Sequence, residues 1–197
     1  MTTTTKTFIP ELGVWKTIIV DTNSTITAYT IDADGRIFHN ANGEPAYVEE
    51  RNIAGKDCVF RQWYHLGLLH RDGDLPAEIT YNGTQEYYKH GLHHRENGLP
   101  AIVEGGCEYV GDDAIYPENA HFVWCVNGNY ARPAGDHGPT EIEGKIKAWY
   151  VGAYGGEYTV AHNEHGPAVI RADGDCLFYL NDVVITEEQF NQIVNKQ

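Results

Sequence analysis

The chain has 197 residues, 42% of them hydrophobic, with 21 Gly, 13 Tyr and a single Met; that is room for one sizeable domain and short for two. Its 28 acidic against 14 basic residues give a formal charge of −14, which argues against a direct nucleic-acid ligand, because phosphate binding needs a basic face. No apolar run approaches membrane-spanning length, and the opening MTTTTKTF lacks a basic region followed by an apolar core, so a soluble cytoplasmic protein without a secretory leader is expected.

Region 1–27 is expected to supply N-terminal strands, since residues 14–20 and 25–30 are rich in Val, Ile and Thr and such side chains suit a pleated surface. From about residue 28 a repeat takes over. Residues 62–77 align with residues 86–101 at a constant offset of 24, matching Tyr64 with Tyr88, Gly67 with Gly91, His70 with His94, Arg71 with Arg95, and Leu75-Pro76-Ala77 with Leu99-Pro100-Ala101. Weaker copies flank this pair. Residues 34–46 keep Phe38, His39, Gly43 and Pro45-Ala46; residues 124–139 keep Trp124, Asn127-Gly128 and Gly138-Pro139; residues 149–168 keep Trp149-Tyr150, His162 and Pro167-Ala168. A half-copy, Phe178-Tyr179-Leu180-Asn181-Asp182, ends the series at 182, and terminal copies of repeat arrays decay in this way.

Each copy reads as two strands and two turns. Aromatic doublets precede Gly-containing turns, and the Pro-Ala sections open short strands that turn back at Asn82-Gly83, Gly105-Gly106 and Asp173-Gly174, which are hairpin signals. Pro at the first residue of a strand removes no interior ladder bond. The expected fold is all-β, an elongated antiparallel β-hairpin repeat meander in one domain. Region 183–197 is expected to be a C-terminal capping helix, because Thr186-Glu187-Glu188-Gln189 has the spacing of a capping box.

The pattern aromatic-Tyr-x-x-Gly-x-x-His-Arg-[Asp/Glu]-x-x-Leu-Pro-Ala over residues 28–182 resembles the divergent MORN-type repeats of tailed bacteriophages and large viruses. The resemblance implies a sheet-like scaffold for contacts with proteins, without catalysis. It further implies a phage accessory protein, acting in the host cytoplasm, that binds and inhibits a host anti-phage defence protein. A self-associating structural or assembly protein, with homo-oligomers, and an acidic mimic of nucleic acid are the alternatives.

The candidate residues fall in two groups. His70, Arg71, His94 and Arg95, with Pro76, Pro100 and Pro167, recur at fixed places in the unit and are read as structural, the His and Arg tying connections down. The clustered histidines are not read as a metal site, and no cofactor is expected. The four cysteines at 58, 107, 125 and 176 form no CxxC pair, which disfavours a zinc ribbon. No serine-nucleophile elbow, HExxH or phosphate loop is present, so no enzyme is expected. Specificity is expected in three insertions between copies, residues 51–60, 110–120 and 153–158. In the middle one Asp112, Asp113, Ile115 and Tyr116 form the candidate anchor for a basic protein partner, an aromatic flanked by acids.

Overall fold

The structure is a computed structural model describing residues 2–35, 37–39, 42–107 and 118–194. It is an antiparallel β meander with one short C-terminal helix, and it divides into two compact units, Met1–Leu92 and His93–Gln197.

The first unit opens with five strands of seven residues: β1 (Thr3–Ile9), β2 (Val14–Val20), β3 (Ser24–Thr30), β4 (Tyr47–Ile53) and β5 (Lys56–Gln62). They pair in sequence order. β1 lies in the region 1–27 expected to supply strands, though outside the two spans located there, 14–20 and 25–30. Its run of Thr3, Thr4 and Thr5 pairs with Val20, Ile19 and Ile18, and Phe8 sits opposite Trp15 with ring centroids 5.1 Å apart, a stabilising cross-strand pair. Residues 51–60, expected as an insertion loop, are strand instead. β4 and β5 stay paired from Tyr47↔Gln62 to Ile53↔Lys56, around a turn with Ala54 and Gly55 both left-handed.

Beyond β5 the strands of the first unit shorten to two residues and the repeat geometry begins. The chain leaves the main sheet at the first aromatic of each doublet and enters a small ribbon. Trp63 separates β5 from the ribbon of Tyr64–His65 with Leu68–Leu69. The chain then returns through Pro76-Ala77 to Glu78–Ile79, which pairs with β5 and with Gln85–Glu86.

The second unit repeats this scheme. Its main sheet runs Ile102–Val103, His121–Val123, Glu141–Glu143, Ile146–Ala148, Val169–Ile170, Cys176–Leu180 and Val183–Ile185, each antiparallel to the next. Its ribbons pair Cys125–Val126 with Asn129–Tyr130, and Tyr150–Val151 with Val160–Ala161. Trp124 and Trp149 mark the breaks between sheet and ribbon. The core is Phe122, Val123, Trp124, Cys125 and Ile142, all fully buried.

Helix α1 (Glu187–Val194) ends the described chain. The expected capping box forms: Gln189 N–H donates to Thr186 Oγ1 (3.1 Å) and Thr186 N–H to Gln189 Oε1 (2.9 Å). Phe190 is the helix residue that is buried, 5.1 Å ring to ring from Phe178. No helix of the described residues is long and apolar enough to cross a membrane.

Candidate functional site

Three side-chain devices recur in the short-strand copies. The first is the alanine after the proline. Ala46, Ala77, Ala101 and Ala168 have no exposed surface, and Thr140 holds the same place in the copy beginning at Trp124. In three copies the carbonyl at this place receives the amide of the first aromatic: Trp63 N–H donates to Ala77 O (2.7 Å), Trp149 N–H to Ala168 O (2.9 Å) and Trp124 N–H to Thr140 O (2.9 Å).

The second device is the arginine. Arg71 donates to Pro76 O and Arg95 to Pro100 O, both at 3.2 Å. Arg132, which the sequence pattern did not single out, donates to Pro139 O at 2.7 Å. In each of these copies a guanidinium supplies the proline carbonyl's donor. Pro167 is served by Asn163 Nδ2 at 2.8 Å.

The third device is the histidine, and it joins one copy to the next. The ribbon turns carry two successive left-handed residues: Leu66-Gly67, His90-Gly91, Asn127-Gly128 and Asn181-Asp182. The N–H of the first donates to an imidazole Nδ1 of the preceding copy: Leu66 to His39 (3.2 Å), His90 to His70 (3.3 Å), Asn127 to His94 (3.2 Å) and Asn181 to His162 (3.1 Å). The N–H of the second donates to the carbonyl just before that histidine: Gly67 to Phe38, Gly91 to Leu69, Gly128 to His93 and Asp182 to Ala161, at 2.8–2.9 Å. An accepting Nδ1 assigns the neutral tautomer with its proton on Nε2. In three copies Nε2 faces the acid two residues on: Asp72 (3.2 Å), Glu96 (3.6 Å) and Glu164 (3.5 Å). His94 Nε2 is buried without a hydrogen bond.

One junction lacks this bond. Ala131 stands where the histidine would be, and residues 153–158 take over: Tyr130 N–H bonds Gly152 O and Tyr154 N–H bonds Gly128 O, both at 2.9 Å. Gly152 is required here, at φ 107° with space for a Cβ only 2.7 Å from Tyr158 O. The insertion is therefore a replacement joint as well as a loop.

Two carboxylates lie within the sheets among hydrogen-bonding partners. In the first unit Tyr47 donates to Glu49 Oε2 (3.1 Å) and Arg51 Nε to Oε1. Burial opposes ionisation of Glu49, but hydrogen bonds from Tyr81, Arg51 and Tyr47 outweigh it and hold the carboxyl low. Burial and that charge push Tyr47 and Tyr81 up to about 12. In the second unit His121 lies between Glu104 (3.4 Å) and Glu141 (3.1 Å), and Tyr130 donates to Glu141 (2.8 Å). The Glu141 bond raises the His121 pKa against burial, while burial of Glu141 is overcome by His121 and Tyr130, so the carboxyl is lowered. Burial, then Glu141, pushes the Cys125 thiol to about 12. Cys125 is therefore no thiolate nucleophile at neutral pH.

The second unit also carries a groove of about 330 Å³, walled by Tyr130, Trp149, Tyr150, Glu164, Asp136 and Arg132, the last two paired with each other at 3.2 Å. Asp136 is occupied by Arg132 and the Gly138 amide, but the Trp149 and Tyr150 faces beside the exposed Glu164 carboxylate suit a cationic group. This groove is the candidate site, and sequence reading missed it because its walls come from two successive copies. Asp112, Asp113, Ile115 and Tyr116 lie outside the described residues. No group of His, Cys, Asp and Glu among the described residues is placed to hold a metal ion. No family model, curated protein or solved structure matches the chain.

Proposed function

We propose that the chain is a non-enzymatic scaffold that binds a basic protein surface through its C-terminal unit. One observation carries this reading: His93–Gln197 holds 16 acidic and 6 basic residues, a net −10 of the total −14. Two of those six, Arg95 and Arg132, are bonded internally to proline carbonyls. Glu143, Glu157, Glu164, Asp173, Asp175 and Asp182 are exposed. A one-signed surface of this kind steers an oppositely charged partner. The groove and the segment containing Asp112, Asp113, Ile115 and Tyr116 are the proposed contact regions. The resemblance to tailed-phage repeat proteins extends the proposal to a phage accessory protein whose partner is a host defence protein.

The test is capture from a bacterial lysate by the tagged chain, beside two variants. One carries Glu157→Gln, Glu164→Gln, Asp173→Asn and Asp175→Asn; the other replaces Asp112, Asp113, Ile115 and Tyr116 with Ala or Ser. The parent is expected to retain a stoichiometric basic protein that moderate salt releases. Each variant should lose it while stability shifts by less than about 0.5 kcal/mol per site. Retention of copies of the chain alone supports a self-associating scaffold, and retention unaffected by charge removal contradicts the proposal.

A further inference from the structure

Three copies of the repeat begin their ribbon on a tryptophan, and arginine closes two of them. Arg71 lies over Trp63 with its guanidinium carbon 3.7 Å from the ring centroid, and Arg132 lies over Trp124 at 3.8 Å. The same arginines reach Pro76 O and Pro139 O, and both indoles are buried, at 4% and 1% exposure. In the third copy the position after His162 is Asn163. It makes the equivalent bond to Pro167 O, but its side chain ends there and is too short to continue across a ring. Trp149 keeps the indole bond of its equivalents, donating to His137 O (2.8 Å) as Trp63 does to Gly43 O and Trp124 to Gly98 O. It is nevertheless only half-buried, and it walls the groove.

We infer that this groove receives an arginine side chain presented by a partner protein. The guanidinium takes in trans the place that Arg71 and Arg132 take in cis, on the face of Trp149, with the exposed Glu164 carboxylate beside it. Arginine is specified over lysine because its planar, weakly hydrated cation stacks on an indole while its N–H groups still bond in plane. The fold itself builds that arrangement twice, each time with arginine. The inference rests on the proposed binding of a basic protein and names the side chain it would recognise.

The test uses the full-length ¹⁵N-labelled chain titrated with capped Gly-Arg-Gly and Gly-Lys-Gly peptides, following the tryptophan indole N–H signals. The arginine peptide is expected to give a saturable shift at Trp149 and none comparable at Trp63 or Trp124, with the lysine peptide roughly tenfold weaker. Asn163→Arg should fill the groove from within, bury Trp149, shift its fluorescence to the blue and abolish the response. Glu164→Gln, which alters an exposed side chain, should weaken the response about threefold to tenfold with spectral dispersion unchanged, and it serves where Asn163→Arg does not fold. No saturable shift at Trp149, equal shifts at Trp63, Trp124 and Trp149, equal binding of lysine, or a folded Asn163→Arg that responds like the parent each overturns the inference. A peptide response without any captured partner counts against the proposed function alone. A captured partner that still binds Asn163→Arg counts against the arginine receptor alone.

Discussion

Within the first unit the same chain builds sheet in two ways. β1 to β5 are seven-residue strands whose register is set by long ladders and cross-strand pairs such as Phe8 with Trp15. The copies after Gln62 use strands of two residues, too short to fix a register by backbone pairing alone. There the position of each strand depends on an alanine that admits no larger group, an arginine on a proline carbonyl and a histidine on the next turn. The difference teaches that a side chain recurring from copy to copy of a repeat can substitute for ladder length. It also says where each half is vulnerable.

Substitutions should break the comparison unequally. Ala77→Leu, at a site with no exposed surface, is expected to cost about 3 kcal/mol or prevent folding. Thr5→Leu on exposed β1 should change stability by less than about 0.5 kcal/mol; urea denaturation of both measures the contrast. Arg71→Ala leaves Pro76 O without its donor and uncovers Trp63, an expected loss of about 2 kcal/mol. Arg71→Lys should recover little of it, since an ammonium does not reproduce a stacked planar fork. His70→Ala removes one acceptor at a turn, His90 N–H to Nδ1, for about 1 kcal/mol, read as a lowered melting temperature.

The smallest expected effect sharpens the picture in the second unit, where a titratable pair joins two neighbouring strands, His121–Val123 and Glu141–Glu143. His121 is raised above its ordinary 6.5, so its contribution is whole below that value and is lost as pH rises through the elevated pKa. Glu141 is held below its ordinary 4.5, so its contribution is whole above that value and is lost as pH falls through the depressed pKa. Both are complete only between pH 4.5 and 6.5. Glu141→Gln should flatten the dependence of unfolding free energy on pH on both sides of that window. An unchanged profile would remove the pair from the account of stability.

The legible part of the fold was its local chemistry. The side chains of Thr186 and Gln189 sit three apart and each bonds the other's backbone N–H, so spacing alone exposes the helix start. The hairpin turns and the repeat offset were readable for the same reason. The span of β1 within the expected N-terminal strand region was not located, because its run lacks an apolar alternation and its partner strand sets its limits. The β4–β5 hairpin was read as an insertion because its turn residue Ala54 takes φ 52° without an Asn-Gly signal. His70 and Arg71 were visible as repeated letters, but their partners, the His90 amide 20 residues on and the Trp63 ring, are set by packing. The groove was invisible in outline, since its walls, residues 130–140, 149–151 and 162–165, come together only through the packing of successive copies.

That histidine acceptors hold successive copies together is tested most directly by ¹⁵N chemical shifts of the imidazole nitrogens at mildly alkaline pH. His39, His70, His94 and His162 should all show an unprotonated Nδ1 and a proton on Nε2. The Leu66, His90, Asn127 and Asn181 amides should exchange slowly although they lie at turn tips. Rings protonated on Nδ1, with fast exchange at those four amides, would contradict it.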